Sequence, residues 1–583
     1  MSVPEQLNRI LASQEFRDSQ RMCRFLRFVV ERALAGEATA LKEYLIGVEV
    51  FDRKEGYDPR VDPIVRVEAR RLRSKLSSYY ERDGRGTGPI IELPKGTYAP
   101  VFHNVSLPVP SAAPDPHRDR TIAVLPFTNL TADPESEYFT DGLTEELTHV
   151  LTKVPGLQVV SWNSTAKMKG HPVDPAAVAE QLQADVFVRG SVRSARGRMR
   201  IMAQLLEAPR GIVLWSETFD RNPEDIFEVQ DEIATAIAQS LQLRLIETPR
   251  SGPNMEVYNL YLKGRYHWNT RTPDGLRKSV ECFQQAISLE PQYALAHAGL
   301  ADAWTILVDY GALPSDQLQV AEQAARKAIE IDPSLAEPYA ALALIRSIYW
   351  NWDESEDLYR RSLSLNPNYS TAHHWIGIDH MAMLGRFDEA LHALEKARQL
   401  DPLSMIIPEG KALLYMLWER YPQSLAVYQE LSRRDSQNPK IHAGMGRLHI
   451  QMGFYDRACE LLDLAWSRNG NSPSILGALG QAQALSGRPV QARATLRCLT
   501  ELSERRHVSS ACFGIIHMAL GETEKALDCL ELAAHRHDAP VLALGVHPLW
   551  NPLRSEPRFR ALLQRLNLEE AEERAQSYRK AAQ

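Results

Sequence analysis

The sequence has no apolar run that approaches the roughly 18–20 residues of a membrane-spanning helix. Only 6 of its 583 residues are cysteines, and they are scattered without CxxC pairs, which argues against a disulfide framework or a zinc ligand set. Residues 1–6 do not place a basic stretch before an apolar one, so no signal peptide is predicted. We therefore expect a cytoplasmic protein that makes no membrane contact and needs no metal or other cofactor.

The common signatures of catalysis are missing as well. The sequence contains no G-x-x-x-x-G-K-[ST], H-E-x-x-H or G-x-S-x-G motif. Acidic residues near Asp141 are interpreted as the first turns of a helix, where the helix dipole favours negative charge. A metal site is not predicted, because no carboxylate or cysteine lies at ligand spacing from either group of histidines: His373, His374 and His380, or His535 and His537. We expect no enzymatic activity.

The length and composition predict several globular domains. A chain of 583 residues is too long for one hydrophobic core, and 44% hydrophobic with 24% charged residues is ordinary for a globular protein. Composition changes at a Pro/Ala/Ser-rich stretch, 105–120, and again near 247–253. The predicted domains are therefore 1–104, a linker at 105–120, 121–247, a helical array at 254–565 and a helical tail at 566–583.

The net charge of -7 conceals an uneven distribution. Residues 1–104 carry 18 basic and 15 acidic side chains, whereas the remainder carries 49 basic and 59 acidic ones. This balance argues against a protein that coats nucleic acid along its whole length. It is compatible with one basic module attached to an acidic body.

The last segment is repetitive. Short motifs ending in proline recur with gaps mostly close to 34 residues, at Pro291, Pro333, Pro367, Pro402, Pro439 and Pro473. The clearest unit runs from Thr371 to Pro402 and has Gly385, Phe387 and Ala390 in a Gly-x-aromatic-x-x-Ala pattern. Small residues let two helices cross closely, and proline ends the second helix. This pattern resembles tetratricopeptide repeats, which implies an α-solenoid with a concave surface that binds a protein partner not identified by the sequence.

Residues 121–247 alternate between strand and helix patterns. Strands are predicted at Ile122–Phe127 and Leu157–Trp162, followed by a meander of three strands and a closing helix over Pro223–Leu245. The strings IAVLPFTNLTADPESEYFTDGLTEEL and LLEAPRGIVLWSETFDR resemble the TolB-like or FlgO-like domain of bacterial proteins. That domain often accompanies a class III adenylate cyclase domain, but the resemblance implies no chemistry.

A basic helix is predicted after Asp62. Asp62 is a good N-cap and Pro63 suits the first helical position. One apolar stripe recurs at helical spacing, at Val65, Ala69, Leu72, Leu76 and Tyr79. Arginines occupy the other faces, and such a helix fits a major groove, where arginine can bind phosphates or guanine.

A hairpin is predicted next. The Gly-rich turn 83–88 precedes a β-hairpin over 89–102, and two amphipathic helices, Arg21–Leu34 and Leu41–Phe51, lie upstream. Three helices followed by a hairpin resemble the OmpR-type winged-helix domain, with VRVEARRLRSKL as recognition helix and PKGTYAPVF as wing. The resemblance implies binding of double-stranded DNA by residues 1–104, through Arg66, Arg70, Arg71, Arg73, Lys75, Lys95 and Thr97. Many winged-helix proteins bind paired half-sites, which leaves a homodimer open.

The sequence supports three alternatives. The first is a bacterial transcription regulator that is multidomain and mainly α, with an N-terminal winged helix, a central α/β domain and a C-terminal tetratricopeptide α-solenoid. The second is an assembly scaffold without DNA binding, in which the arginines form a solvated surface and Glu68 pairs with Arg71 or Arg66. The third is an enzyme, which is suggested only because domains similar to the central one often occur together with a class III adenylate cyclase domain. We favour the regulator.

Overall fold

The computed structural model describes residues 3–582 except for 18, 36–40, 55–56, 59–61, 83–89, 95–96, 104–119, 132–134, 171–172, 196–197, 223–225, 242, 244–253 and 469–471. The chain is mainly helical, as predicted, and forms two compact units, Met1–Arg118 and Asp119–Gln583. Within the described residues, no helix combines the length and the apolar character that crossing a membrane requires.

In its described residues, the first unit has five helices and a two-stranded sheet. The helices are α1 (Val3–Ala12), α2 (Gln14–Arg17), α3 (Gln20–Leu34), α4 (Glu43–Phe51) and α5 (Ile64–Arg82). Strands β1 (Ile90–Glu92) and β2 (Val101–His103) pair antiparallel, with Ile91 opposite Phe102. The core joins α5 to α3, where Phe25, Leu26 and Val29 are fully buried. The two helices before α3 extend the three-helix pattern that the sequence predicts.

The second unit begins with a six-stranded sheet. Its strands are β3 (Arg120–Val124), β4 (Thr128–Asn129), β5 (Leu157–Val159), β6 (Val186–Ala195), β7 (Arg198–Glu207) and β8 (Ile212–Arg221). The strand order is β5-β3-β6-β7-β8, with β4 beside β6. Strands β5, β3 and β6 are parallel, whereas β6, β7 and β8 form the predicted antiparallel meander. The helices that accompany the sheet are α6 (Glu135–Leu151), α7 (Trp162–Thr165), α8 (Pro175–Leu182) and α9 (Ile226–Ser240).

The bounds of α6 correct the expectation that Asp141 lies in the first turns of a helix. The helix begins at Glu135 rather than at Asp141, so Asp141 and Glu145 lie in its middle, where the dipole of the N-terminus does not explain them. Both carboxylates instead have basic partners. Lys169 Nζ is 2.7 Å from Asp141 Oδ2, and Arg265 Nε is 3.1 Å from Glu145 Oε1.

Helix pairs form the remainder of the second unit. The helices are α10 (Met255–Asn269), α11 (Pro273–Leu289), α12 (Ala294–Asp309), α13 (Leu318–Ile331), α14 (Glu337–Ile348), α15 (Trp352–Leu365), α16 (Ser370–Trp375), α17 (Phe387–Leu400), α18 (Ile406–Leu417), α19 (Tyr421–Arg434), α20 (Pro439–Gln451), α21 (Tyr455–Arg468), α22 (Pro473–Leu485), α23 (Pro489–Ser503), α24 (Ser510–Ala519), α25 (Thr523–His535), α26 (Pro557–Arg565) and α27 (Glu569–Ala582). A π-helical segment, Ile376–Met381, continues α16. This is the predicted solenoid.

The signature glycine of the repeat lies at the turn between two paired helices. Gly385 has a φ of +70°, the left-handed conformation that glycine adopts without strain. A side chain at this position would also meet the carbonyl oxygen of Ala571 at 2.8 Å. Glycine at 385 therefore serves both the turn and the close approach of α27.

The array returns on itself at its C-terminal end. Tyr578 donates a hydrogen bond of 2.7 Å to Asp388, and its ring lies 5.4 Å from that of Phe387. The indole of Trp352 donates to the carbonyl of Leu566 at 3.1 Å. These contacts join Leu566 and α27 to helices about 200 residues earlier, so the described part of the tail, 566–582, belongs to the packed array.

The α/β domain packs against the same array. Asn368 donates to the carbonyl of Leu157 at 3.0 Å, and the amide of Leu403 donates to Ser164 at 2.8 Å. Gly142 of α6 faces Leu262 of α10 so closely that a Cβ would overlap it. Residues 121–247 and 254–565, which the sequence treats as separate domains, therefore lie in one compact unit.

A bulky substitution at Ala390 tests the packing of the helix pairs. Ala390 is fully buried in α17, and a Cβ on Gly377 would lie 3.2 Å from its carbonyl oxygen. We expect Ala390→Trp to destabilise the array by about 1–3 kcal/mol or more, because the crossing has no room for an indole. Thermal unfolding of the full chain measures the change. Val490→Trp is the control, since Val490 is 79% exposed. Equal melting temperatures of the Ala390→Trp and Val490→Trp variants would contradict this packing.

Buried histidines predict acid sensitivity of the array. His380 is fully buried, and burial lowers its pKa to about 4 although Glu356 lies 3.6 Å away. The unfolded chain, with a pKa near 6.5, binds the proton more readily, so stability is lost as the pH falls from 6.5 towards 4. Between pH 7 and pH 5 the parent loses free energy of unfolding, and we expect His380→Asn to remove up to about 2 kcal/mol of this loss. Urea unfolding at both pH values checks this, with the exposed His392→Asn as control. Parallel pH profiles for both variants would refute it.

Candidate nucleic-acid interface

Helix α5 is the basic helix that the sequence predicts. Its first amide, that of Ile64, donates to Asp62 Oδ1 at 3.1 Å, so Asp62 caps the helix. The predicted apolar stripe is buried throughout: Val65, Ala69, Leu72, Leu76 and Tyr79 are at most 4% exposed. Because this stripe fixes the rotation of α5, the faces of the other residues follow from helical geometry.

Arg70 lies on the outward face of α5. Its side chain is exposed, and the described part of the chain offers it no hydrogen bond or ion pair. Val67 lies one turn earlier on the same face and is 43% exposed. Sequence reasoning did not select Val67, although its position opposite the apolar stripe identifies it. An exposed methyl group beside arginine can contact the methyl group of thymine in a major groove.

Arg66 and Arg71 flank this face, and each has an acidic partner. Arg66 Nε is 2.8 Å from Glu43 Oε1 of α4, and Arg71 Nη1 is 2.8 Å from Glu68 Oε1. The Arg71 side chain is 67% exposed, but Glu68 is nearly buried. The pair with the more exposed carboxylate, Arg66 with Glu43, contributes only about 0–1 kcal/mol, so a phosphate could replace that carboxylate as the partner of Arg66.

Arg73 and Lys75 point to neighbouring parts of the module. Arg73 donates to the carbonyls of Leu93 at 2.8 Å and of Pro94 and Thr97 at 3.0 Å. Lys75 Nζ bonds to the carbonyl of Glu15 and lies 5.7 Å from the centre of a phenylalanine ring in α2. Arg73 therefore attaches the segment between β1 and β2 to α5. Direct DNA contact by either residue would require these bonds to break.

The segment between the two strands is described in part. Thr97 is exposed, and its hydroxyl accepts a hydrogen bond of 3.1 Å from the amide of Ala99. Burial raises the pKa of the next residue, Tyr98, whose ring packs against the core. Lys95 lies outside the described residues, so its role stays a prediction. Arg70, Arg71 and Arg66 are thus the members of the predicted set that α5 presents outward.

Comparison with known families identifies two segments. The sequence model of the HilA/YgeH-like transcriptional regulator, second domain, matches residues 118–236. A tetratricopeptide repeat model matches residues 383–439, which confirms the predicted repeats. Both matches lie outside residues 1–104.

Curated relatives cover part of the chain. A protein of Rhizobium meliloti strain 1021, provisionally named adenylate cyclase 3, is 36% identical over 248 residues, which are 40% of this chain and 42% of that protein. Transcriptional regulator HilA of Salmonella typhimurium is 20% identical over 307 residues, which are 52% of this chain and 54% of HilA. The chain therefore spans about half the length of these relatives or less.

Two solved structures are similar to parts of this chain at low TM-scores. The anaphase-promoting complex hetero-tetramer Cut9–Hcn1 matches 58% of this chain and 59% of its own chain, with a TM-score of 0.38 and 13% identity. The human IFIT1 dimer matches 53% of this chain and 78% of its own chain, with a TM-score of 0.38 and 15% identity. The helix pairs and the two family models together show tetratricopeptide repeats in the array and a similarity of residues 118–236 to a regulator domain.

Proposed function

We propose that this protein is a DNA-binding transcriptional regulator whose N-terminal unit is a winged helix. The observation that carries the proposal is the outward face of α5, where Arg70 and Arg71 are exposed on a helix held by a fully buried apolar stripe. The similarity of residues 118–236 to a domain of HilA/YgeH-like regulators supports it, because that segment follows the basic module directly.

In the proposed mode of binding, α5 enters the major groove of double-stranded DNA. Arg70 and Arg71 contact phosphates or guanine, and Val67 contacts thymine. Arg66 exchanges Glu43 for a backbone phosphate, since an exposed ion pair is easily replaced. Arg73 keeps its three carbonyl partners and thereby positions the wing, so that Lys95 and Thr97 reach the edge of the minor groove.

The second unit supplies regulation rather than chemistry in this proposal. The TolB-like resemblance of 121–247 and the repeats imply a ligand or protein partner, whose binding changes the presentation or pairing of the winged helix. The α/β domain packs against the array, and Arg265 of the array contacts Glu145 of the α/β domain. In this way, binding at one of these two parts can alter the other. The protein acts in the cytoplasm and catalyses no reaction.

A tetratricopeptide scaffold is the competing function. It is favoured by one observation: Arg66 and Arg71 both have carboxylate partners within the unit, as expected for a solvated surface. Salt dependence separates the two functions. Each phosphate contact releases counterions, so DNA affinity falls steeply as salt rises.

Binding of the full chain to fragmented genomic DNA, titrated from about 50 to 300 mM salt, is the test. A regulator is expected to lose about 10³-fold or more in affinity over this range if six or more phosphates are contacted. Absence of binding, or binding that salt does not weaken, would support the scaffold instead.

A further inference from the structure

Glu68 is an acidic residue on the helix that is proposed to enter DNA. It lies in the second turn of α5, next to Ala69 of the apolar stripe, and is only 7% exposed. A nearly buried carboxylate is costly unless it is paired, and a negative charge beside phosphates weakens binding to any DNA. An apolar residue at this position would avoid both costs. The position of Glu68 therefore calls for a role that offsets them.

The partner of Glu68 is Arg71. Arg71 Nη1 donates to Glu68 Oε1 at 2.8 Å, and neither side chain has another hydrogen bond or ion pair with the described residues. The two side chains differ in exposure, at 10% for Glu68 and 67% for Arg71. A carboxylate that is fixed by its burial thus holds one edge of a guanidinium that lies in solvent.

The pair also sets the direction of the Arg71 side chain along α5. Side chains of an α-helix lean towards its N-terminus, and residues three apart are separated by about 4.5 Å along the axis. The bond to Glu68 therefore holds the guanidinium over the N-terminal part of α5. In helix-turn-helix proteins, the N-terminal residues of the recognition helix contact the edges of the bases. Arg71 is thus held where a helix in the major groove meets bases.

Most of the Arg71 guanidinium stays available for DNA. An arginine side chain has five N–H donors in a planar fork, and Glu68 accepts from the fork at Nη1. A guanidinium held in this way can donate two parallel hydrogen bonds to O6 and N7 of guanine. Because its orientation is fixed before DNA binds, Arg71 loses less conformational entropy than a freely rotating arginine would.

Arg70, the preceding residue, is the contrasting case. It is exposed, and the described residues offer it no carboxylate, so its guanidinium can turn towards any nearby phosphate. Contacts to phosphates position a protein on DNA but carry no sequence information, whereas contacts to base edges do. The two adjacent arginines are therefore suited to different tasks.

We propose that Glu68 is a positioning residue for sequence recognition: it holds Arg71 for bidentate contact with one guanine, while Arg70 contacts the phosphate backbone. The inference rests on the proposed binding of DNA and assigns a different task to each arginine. Glu68 also disfavours binding modes in which Arg71 moves to a phosphate, because the nearly buried carboxylate then loses its partner. Discrimination between sequences increases while the affinity for DNA in general decreases.

Selection of bound sequences from random duplexes by the full chain, followed by competition binding, tests the proposal. The parent is expected to select a motif with an invariant guanine. Glu68→Gln should lower the ratio of affinities for the selected and a scrambled duplex by about fivefold or more. It should bind the scrambled duplex at least as tightly as the parent, because a negative charge is removed. The control is Glu31→Gln, an exposed carboxylate of α3, which should keep the ratio of the parent.

Arg70→Ala separates the two tasks. It should weaken binding to both duplexes by the same factor and reduce the logarithmic salt slope by about one, as expected for a phosphate contact. In an Arg71→Ala background, Glu68→Gln should leave the affinity ratio unchanged, because the guanidinium that it orients is absent. A purely structural role of Glu68 would instead change the affinity for both duplexes together.

The outcomes distinguish this inference from the proposed function. A parent that binds no DNA would contradict the proposed function and this inference with it. A parent that selects a motif, beside a Glu68→Gln variant with the same affinity ratio, would overturn the inference alone. A loss of the ratio that Glu68→Gln also causes in the Arg71→Ala background would overturn it too, since Glu68 would then act without Arg71.

Discussion

Replacing Arg70 and Arg71 by alanine is expected to lower DNA affinity by about ten- to a hundredfold and to reduce the logarithmic salt slope by about one for each phosphate that is no longer bound. The reason is that α5 presents these two guanidinium groups outward while its opposite face is buried. Salt-titrated binding of the full-length variant to fragmented genomic DNA measures both quantities. The matched control is Arg433→Ala with Arg434→Ala, two adjacent exposed arginines of α19, which removes the same charge from the array.

The two arginines differ in their expected effect on stability. Arg70→Ala should change the free energy of unfolding by no more than about 0.5 kcal/mol, as for exposed residues in general. Arg71→Ala removes the ion-pair partner of the nearly buried Glu68 and should cost about 1 kcal/mol or more. Adding Glu68→Gln should recover most of that cost.

If the double arginine variant binds DNA as tightly as the parent, α5 is not the helix that reads DNA.

Leu72→Ala is expected to have the largest effect on the stability of the N-terminal unit. Leu72 is fully buried in the middle of the stripe, so its truncation leaves a cavity and should cost about 2–5 kcal/mol. Circular dichroism and urea denaturation of the full chain measure the decrease in stability, which should appear as an earlier transition of the first unit.

Val67→Ala on the same helix is the control for this substitution. Val67 is 43% exposed, so its truncation should change stability by no more than about 0.5 kcal/mol. The Leu72→Ala variant should still bind DNA at temperatures where that variant remains folded. Equal stability of the two variants would mean that the apolar stripe does not hold α5.

Local sequence patterns predicted the features that depend on near neighbours. The stripe from Val65 to Tyr79 could be predicted because every buried member recurs within one or two helical turns. The turn at Gly385 could be predicted because the repeat places glycine where the backbone takes a positive φ. The pairing of Glu68 with Arg71 is likewise a neighbour effect, at a spacing of three residues.

Features that join distant parts of the chain could not be predicted in this way. Arg73 was assigned to DNA on its helical position, but its carbonyl partners lie 20 or more residues later, beyond any helical periodicity. The return of α27 to Phe387 depends in the same way on the curvature of the whole array.

Genome-wide mapping of the sites bound by the full-length protein in cells, beside the Arg70→Ala, Arg71→Ala variant, tests the central claim most directly. A regulator that reads DNA through α5 is expected to occupy discrete sites near gene starts, and the variant should lose that occupancy while being present at the same level. A protein that occupies no discrete sites, or a variant that occupies the same sites as its parent, would contradict the assignment of α5 as the DNA-reading helix.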